Sequence, residues 1–222
     1  MKKFWDRLAQ GVKDRMFPIH CAGCAKEGEW WCAACRKESG IAVANNNLEA
    51  VSSLNGVTAL FNYGENSSLA KLIWRYKYQY ARDIEEVWQE IILEHFPLSE
   101  REKCLPSAAV FIPVPLHPRR ERERGFNQAA ALARLFTGYS CGEINCDNLI
   151  RSRYTTQQAK LSGEDRRKNM INAFNWRGRD LPSEKIILVD DIFTTGATMQ
   201  ECAKVLKQAG AKFVWGLVLA RG

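Results

Sequence analysis

Two adjacent carboxylates, Asp190 and Asp191, are followed by Thr194, Thr195, Gly196, Ala197 and Thr198, a run of hydroxyls around one glycine. Glycine lets a backbone turn tightly and come close to an anion. Successive N–H groups and a helix N-terminus add positive partial charge, and the hydroxyls of Thr194, Thr195 and Thr198 can donate to phosphate oxygens. A phosphate in that turn would be repelled by the carboxylates. Asp190 and Asp191 are therefore expected to face sugar hydroxyls or a hydrated Mg2+. The combination fits a phosphorylated sugar. The plainer alternative is a strand, turn and helix with a capping threonine and solvated aspartates.

A second constellation is made of sulfur. Cys21-Ala-Gly-Cys24 and Cys32-Ala-Ala-Cys35 are two CxxC knuckles separated by seven residues. Each knuckle lets two thiolates reach one tetrahedral ion, and two this close read as a single four-cysteine zinc site with no open position, hence structural. A redox dithiol is the alternative. About 20 residues of ribbon cannot bury a core, so the ion would hold it, with Trp30 and Trp31 docking it on the rest of the chain. A third set is basic. Arg119, Arg120, Arg122 and Arg124 fall within six residues of Pro113-Val114-Pro115-Leu116-His117-Pro118, ahead of Gly125-Phe126-Asn127-Gln128. Arginines beside a strand end suit bidentate phosphate binding, while Glu121 and Glu123 keep open the reading of a solvated mixed-charge loop.

The elements that must position these groups can be read from periodicity. Ile186 to Val189 is an apolar run leading into the acidic pair, and residues 199–209 carry Cys202, Val205, Leu206 and Ala209 at helical spacing. Thr58 to Tyr63, Ala108 to Val114, Asp147 to Arg151 and Lys212 to Ala220 read as strands, the last as a central one. Leu69, Leu72, Ile73, Tyr76 and Tyr80 give a helical face, as do Ile84, Val87, Trp88, Ile91 and Ile92. Asn127 is placed to cap a helix reaching about Phe136. Prolines 113, 115 and 118 stop a strand and stiffen the chain. Residues 40–56 read as an Asn-rich linker, and Arg153 to Asn172 as a polar excursion over a site. Trp74-Arg75-Tyr76-Lys77-Tyr78 alternates aromatic and basic residues. Such a pattern either stacks bases or is a core helix with snorkelling cations. The alternation of strands and helices predicts an α/β fold with a largely parallel sheet.

Composition sets the bounds. A chain of 222 residues with 46% hydrophobic content allows one core domain plus a small appendage. We expect residues 1–40 to form an N-terminal helix and zinc ribbon, and residues 41–222 the main domain. No apolar run approaches the length of a membrane span, and residues 1–17 lack the apolar core of a signal peptide. A cytoplasmic chain is the expectation, in which eight cysteines serve as ligands or buried thiols rather than disulfides. Residues 4–17 form a basic amphipathic pattern that would lie either on its own protein or weakly on a membrane surface. The net charge is +7, and thirteen basic against seven acidic residues lie between Arg119 and Asp180. That excess calls for a polyanionic partner, for which pyrophosphate and nucleic acid both qualify.

Val189-Asp-Asp-Ile-Phe-Thr-Thr-Gly-Ala-Thr-Met199 resembles the ribose-5-phosphate loop of type I phosphoribosyltransferases, which bind phosphoribosyl pyrophosphate (PRPP). Further motifs join it: the two knuckles, the Pro-Val-Pro-Leu-His…Arg-Gly-Phe-Asn-Gln run, Arg151-x-Arg-x-Thr-x-x-Gln-x-x-Leu161 and Arg166-x-x-Asn169…Ala173-Phe174. From about Phe17 onward the chain is similar to the ComF family, although Gln157 stands where that family often has proline. The resemblance implies a zinc ribbon on a type I phosphoribosyltransferase-like fold and a link to uptake of transforming DNA. It implies that Asp190 and Asp191 hold ribose hydroxyls and Mg2+, and that Thr194 to Thr198 bind the 5-phosphate. It further implies that Arg122 and Arg124 meet pyrophosphate, and that Arg166 and Asn169 sit in the covering excursion. The rival expectation is a non-catalytic PRPP or nucleotide sensor that contacts single-stranded DNA and DNA-uptake proteins.

Overall fold

The computed structural model of the chain describes residues 18–39, 44–46, 53–62, 64, 67–79, 83–96, 105, 108–138, 142–154 and 170–222. The amphipathic pattern of residues 4–17, and Arg166 and Asn169 of the excursion, lie outside them.

Among the described residues the architecture is α/β. Six strands form one sheet: β1 (Ala44–Asn46), β2 (Gly56–Asn62), β3 (Val110–Pro113), β4 (Glu143–Ile144), β7 (Lys185–Phe193) and β8 (Phe213–Arg221). Their spatial order is β1-β2-β8-β7-β3-β4. All neighbours pair in parallel except β1 with β2. Parallel strands must be covered on both faces, and alternation along β7 divides the cover. Ile187 and Val189 join one apolar cluster, Ile186 and Leu188 the other. The first cluster is completed by α2 (Ser68–Tyr78), α3 (Ile84–His95) and α5 (Gln128–Thr137), the second mainly by α6 (Ala197–Gln208). The central position of β8 agrees with its Val/Leu-rich sequence.

Short elements differ from the sequence reading. Leu149–Arg151 (β5) is a strand, but it pairs antiparallel with Phe174–Trp176 (β6) in a separate two-stranded sheet. The position expected of it in the main sheet belongs to β4. The Asn-rich stretch contains edge strand β1, which pairs antiparallel with β2. Pro118–Arg124 is a helix, α4, not merely a stiffened loop. Pro118 opens it without losing a hydrogen bond, His117 Nδ1 accepts from the Arg119 N–H at 3.2 Å, and Gly125 closes it at φ 76°.

The cysteine ribbon packs into the first cluster. Trp31 is fully buried against Phe61 and Trp88, with ring centroids at 5.9 and 6.5 Å, and its Nε1 donates to Ser68 Oγ at 2.8 Å. The short helix α1 (Ala33–Glu38) carries Arg36, which donates to the Trp31 carbonyl and pairs with Glu90 of α3 at 2.9 Å.

Candidate functional site

The apolar run of β7 carries the chain through the core and delivers Asp190 and Asp191 at the carboxyl end of the strand. The turn after Phe193 follows. Gly196 sits there at φ 72°, and a Cβ on it would come within 2.5 Å of the Phe193 ring. Only glycine satisfies both the dihedral and the contact. Thr195 Oγ1 accepts from the Ala197 N–H at 3.4 Å, and Gln200 N–H returns to the Gly196 carbonyl at 2.8 Å, starting α6. Thr194, Thr195 and Gly196 thus form the turn beside the carboxylates, and Ala197 and Thr198 open α6.

The two carboxylates are not equivalent. Successive side chains of a strand point to opposite faces. Asp191, only 3% exposed, faces α2, where its Oδ2 pairs with Lys77 Nζ. Asp190 is half-buried and accepts from the Asp191 N–H at 2.9 Å through Oδ1. Burial, then the charge of Asp191, push the Asp190 carboxyl well above the usual range. Burial also acts on Asp191, but the Lys77 ammonium overcomes it and holds that carboxyl below the usual range. Burial lowers and Asp191 raises Lys77, which ends above its ordinary value. Lys77 and Asp191 thus favour each other's charged forms, while burial and the charge of Asp191 disfavour the charged form of Asp190.

The basic set arrives from the neighbouring strand. Val114 N–H donates to the Val189 carbonyl at 2.8 Å, which draws the end of β3 against the end of β7. Asn127 then ties α5 back, donating to the Val114 carbonyl at 3.1 Å while capping the Ala129 N–H at 3.0 Å. Arg124 donates to Gln128 Oε1 at 2.6 Å, lies 5.2 Å from the centroid of the Tyr78 ring, and its charge acts on both Asp191 and Lys77. Arg122 is exposed on α4. Arg119 and Arg120 approach the Tyr154 ring at 5.0 and 5.8 Å, and His117 meets its edge at 5.1 Å. Burial and the surrounding arginines depress His117, so its imidazole is neutral. With Nδ1 accepting from Arg119, the proton resides on Nε2.

Several site residues escaped the sequence reading. Lys77 stands at i+4 from Ile73 and i+8 from Leu69, a position where the helical period asks for an apolar residue. A cation there was the available signal. Arg151 was noted only within a motif. It is 7% exposed, lies over the Phe174 ring at 5.4 Å and donates to Met170 Sδ at 3.6 Å. Burial, then the charge of Arg120, lower its pKa, and the charges of Cys202 and Asp190 offset them only in part. Tyr154, 46% exposed, gave no local signal.

The four knuckle cysteines converge, with Cys21, Cys24, Cys32 and Cys35 Sγ atoms all within 4.8 Å of one another. Gly23 lies under them, and a Cβ there would sit 2.5 Å from Cys35 Sγ. At Cys21 burial raises the thiol, but the backbone N–H groups of Cys32, Cys24 and Gly23 outweigh it and bring it to about 6. Burial and the neighbouring thiols push Cys35 up to about 12. Four sulfurs so close cannot all ionise without a cation, and the donor set fits a zinc ion in a closed tetrahedral site. Among the described residues no helix is long and apolar enough to cross a membrane.

Comparison with known proteins places the chain among relatives. It is 31% identical over 211 residues to Competence protein F of Haemophilus influenzae, covering 93% of this chain and 86% of that one. It is 30% identical over 155 residues to DNA utilization protein YhgH of Salmonella typhi, covering 69% and 67%. It is 28% identical over 163 residues to Competence protein ComFC of Streptococcus pneumoniae, covering 73% and 67%. No family model matches the chain.

Proposed function

This chain belongs to the ComF family, and from that premise we propose that it serves DNA uptake and carries a sugar-phosphate site for PRPP at the carboxyl end of β7. One observation carries the reading. The acidic pair, the Gly196 turn and the start of α6 meet at one strand end, beside the Arg124 end of α4. Ligands of open α/β sheets bind at the carboxyl ends of strands. In this reading the Thr194–Thr198 turn takes the 5-phosphate, Asp190 accepts from ribose hydroxyls, and Arg122 and Arg124 take the pyrophosphate. Arg166 and Asn169 of the excursion would cover the bound sugar. If transfer occurs, an acceptor attacks the anomeric carbon, the bond to the pyrophosphate oxygen breaks, and pyrophosphate leaves with the electron pair. Mg2+ bound with PRPP would offset the charge developing on the leaving group. The chain's own contribution is positioning and cationic stabilisation by the arginines.

The test is calorimetric titration of the zinc-loaded protein with PRPP and Mg2+, compared with Asp190→Asn. A hydrogen bond is worth about 0.5–1.5 kcal/mol, and about 1.5–3 where one partner is charged, so the variant should bind roughly two- to a hundredfold more weakly. It should fold at least as well as the parent. A carboxyl whose folded pKa is raised costs nothing below its unfolded value near pH 4 and progressively more above it. Asn removes that cost, so Asp190→Asn gains stability as pH rises from about 4, read by denaturant midpoints across pH. Absence of PRPP binding to the parent at millimolar concentration would sink the sugar-phosphate reading.

A second reading rests on an adjoining surface that shares Arg124 with the first. Trp74 and Tyr78 are 54% and 44% exposed on α2, their rings 5.7 Å apart, with Arg124 over Tyr78. Aromatic faces flanked by cations stack single-stranded bases. Binding of a fluorescent oligothymidylate should weaken steeply with salt. Trp74→Ala should cost about 1–3 kcal/mol if a base stacks there. An unchanged affinity in that variant would remove the platform.

A further inference from the structure

We infer that Lys77 is the built-in counter-ion of the acidic pair, a positioning residue that holds Asp191 away from the ligand and leaves Asp190 as the carboxylate that grips the sugar. This rests on the sugar-phosphate reading above and goes beyond it. Two carboxylates in sequence beside an anion site would ordinarily need a divalent cation to coexist with a phosphate. Here the cation is part of the chain. The last turn of α2 directs Lys77 Nζ onto Asp191 Oδ2, with the two side chains 19% and 5% exposed. The ammonium occupies the face of Asp191 that a metal would otherwise take. Asp190 is held differently. Its Oδ1 is tied to the Asp191 N–H, it is the more exposed of the two, and by strand alternation it lies on the face of β7 that α6 covers.

The consequence concerns metal dependence. A sugar phosphate without pyrophosphate should bind this site without Mg2+, because the buried member of the acidic pair already carries its counter-ion. Removing the Lys77 charge should transfer that requirement to a free cation.

The experiment titrates the full-length, zinc-loaded protein with ribose 5-phosphate, with and without Mg2+ at matched ionic strength, and reads the ratio of the two affinities. The parent and Lys77→Arg should give a ratio near one. Lys77→Gln should bind about tenfold or more weakly without Mg2+ and recover most of the loss with it. Because Lys77→Gln leaves Asp191 buried and unpaired, it is accompanied by Lys77→Gln/Asp191→Asn, which has no charge to strand. Whatever affinity that double variant retains should again be independent of Mg2+, a result a merely structural lysine would not give. A Mg2+ requirement in the parent, or the same ratio in Lys77→Gln as in the parent, overturns the role of Lys77 while leaving the sugar-phosphate site standing. A Mg2+ requirement in the double variant overturns it equally. Failure of the parent to bind either ribose 5-phosphate or PRPP sinks the sugar-phosphate reading and this inference together.

Discussion

Withdrawing the metal from Cys21, Cys24, Cys32 and Cys35 should unfold far more than the ribbon. Structural zinc contributes on the order of 10–16 kcal/mol in small zinc peptides, comparable with the whole stability of a domain. With zinc bound, the ribbon would use that energy to hold Trp31 against the main core. Trp31 lies with Phe61 of β2 and Trp88 of α3 in a single cluster that reaches Leu217 and Leu219 of β8. Ser68, at the first turn of α2, is bonded to both Trp31 and Ser39. Loss of the ion therefore uncovers the apolar face of α2 and frees its N-terminal end. A strong chelator, or Cys32→Ser, should lower the denaturation midpoint of the whole described core and give one transition by tryptophan fluorescence and far-ultraviolet dichroism. Trp31→Ala should cost about 3–5 kcal/mol with the metal still bound. Two separate transitions, with the sheet unaffected by chelation, would show that the ribbon is merely appended.

Asp191→Ala should be among the most destabilising single changes at the site, by about 3–5 kcal/mol, because it strands a buried ammonium. Asp190→Asn, one residue away, should stabilise. The contrast comes from geometry: Asp191 pairs with Lys77, while among the described residues no lysine forms an ion pair with Asp190. Combining Asp191→Leu with Lys77→Met should recover most of the loss, since replacing both members of a buried pair by apolar groups is often neutral. The pH dependence follows from the directions of the two shifts. Asp191 is depressed, so its contribution is present above the unfolded carboxylate value and disappears as pH falls through the folded one. Lys77 is raised, so its contribution is present below the unfolded lysine value and disappears as pH rises through the folded one. The pair should thus stabilise between about pH 4 and pH 10. Urea denaturation of parent and Asp191→Ala should differ most within that window and converge at its acid end. A constant difference at all pH values would assign the loss to packing instead.

Much of the site was legible because it is local. An apolar run, two acids, a Thr/Gly turn and a helical period lie within about 25 consecutive residues, and each signal governs its own backbone. The knuckles were legible for the same reason. What escaped is non-local or aperiodic. Helix α4 has no buried residue, so it offers no apolar period, although Pro118 after His117 was a helix start in plain view. Strands β1, β4 and β6 are two or three residues long, too short for alternation to register. Asp147 to Arg151 was read as a strand, yet the three residues that form one, Leu149–Arg151, carry no information about which edge they join. Lys77 could be noticed as a cation in an apolar stripe, but its partner lies 114 positions away along the chain, and only the sheet order brings them together.

That order has a consequence for how the protein is made. Strands β2 and β3 are synthesised early but are not neighbours. The two central strands that separate them, β7 and β8, come after every other strand in the chain. As the polypeptide leaves the ribosome, β2 and β3 each present an unpaired edge and an uncovered apolar face until β7 and β8 arrive together with α6. Such edges recruit other chains, and intermediates of this kind are prone to aggregate. A nascent chain stalled before β7 would be a natural client for chaperones, and Lys77 would wait in it without Asp191. The strand end that carries Asp190, Asp191 and the Gly196 turn is therefore assembled in the same step that closes the sheet.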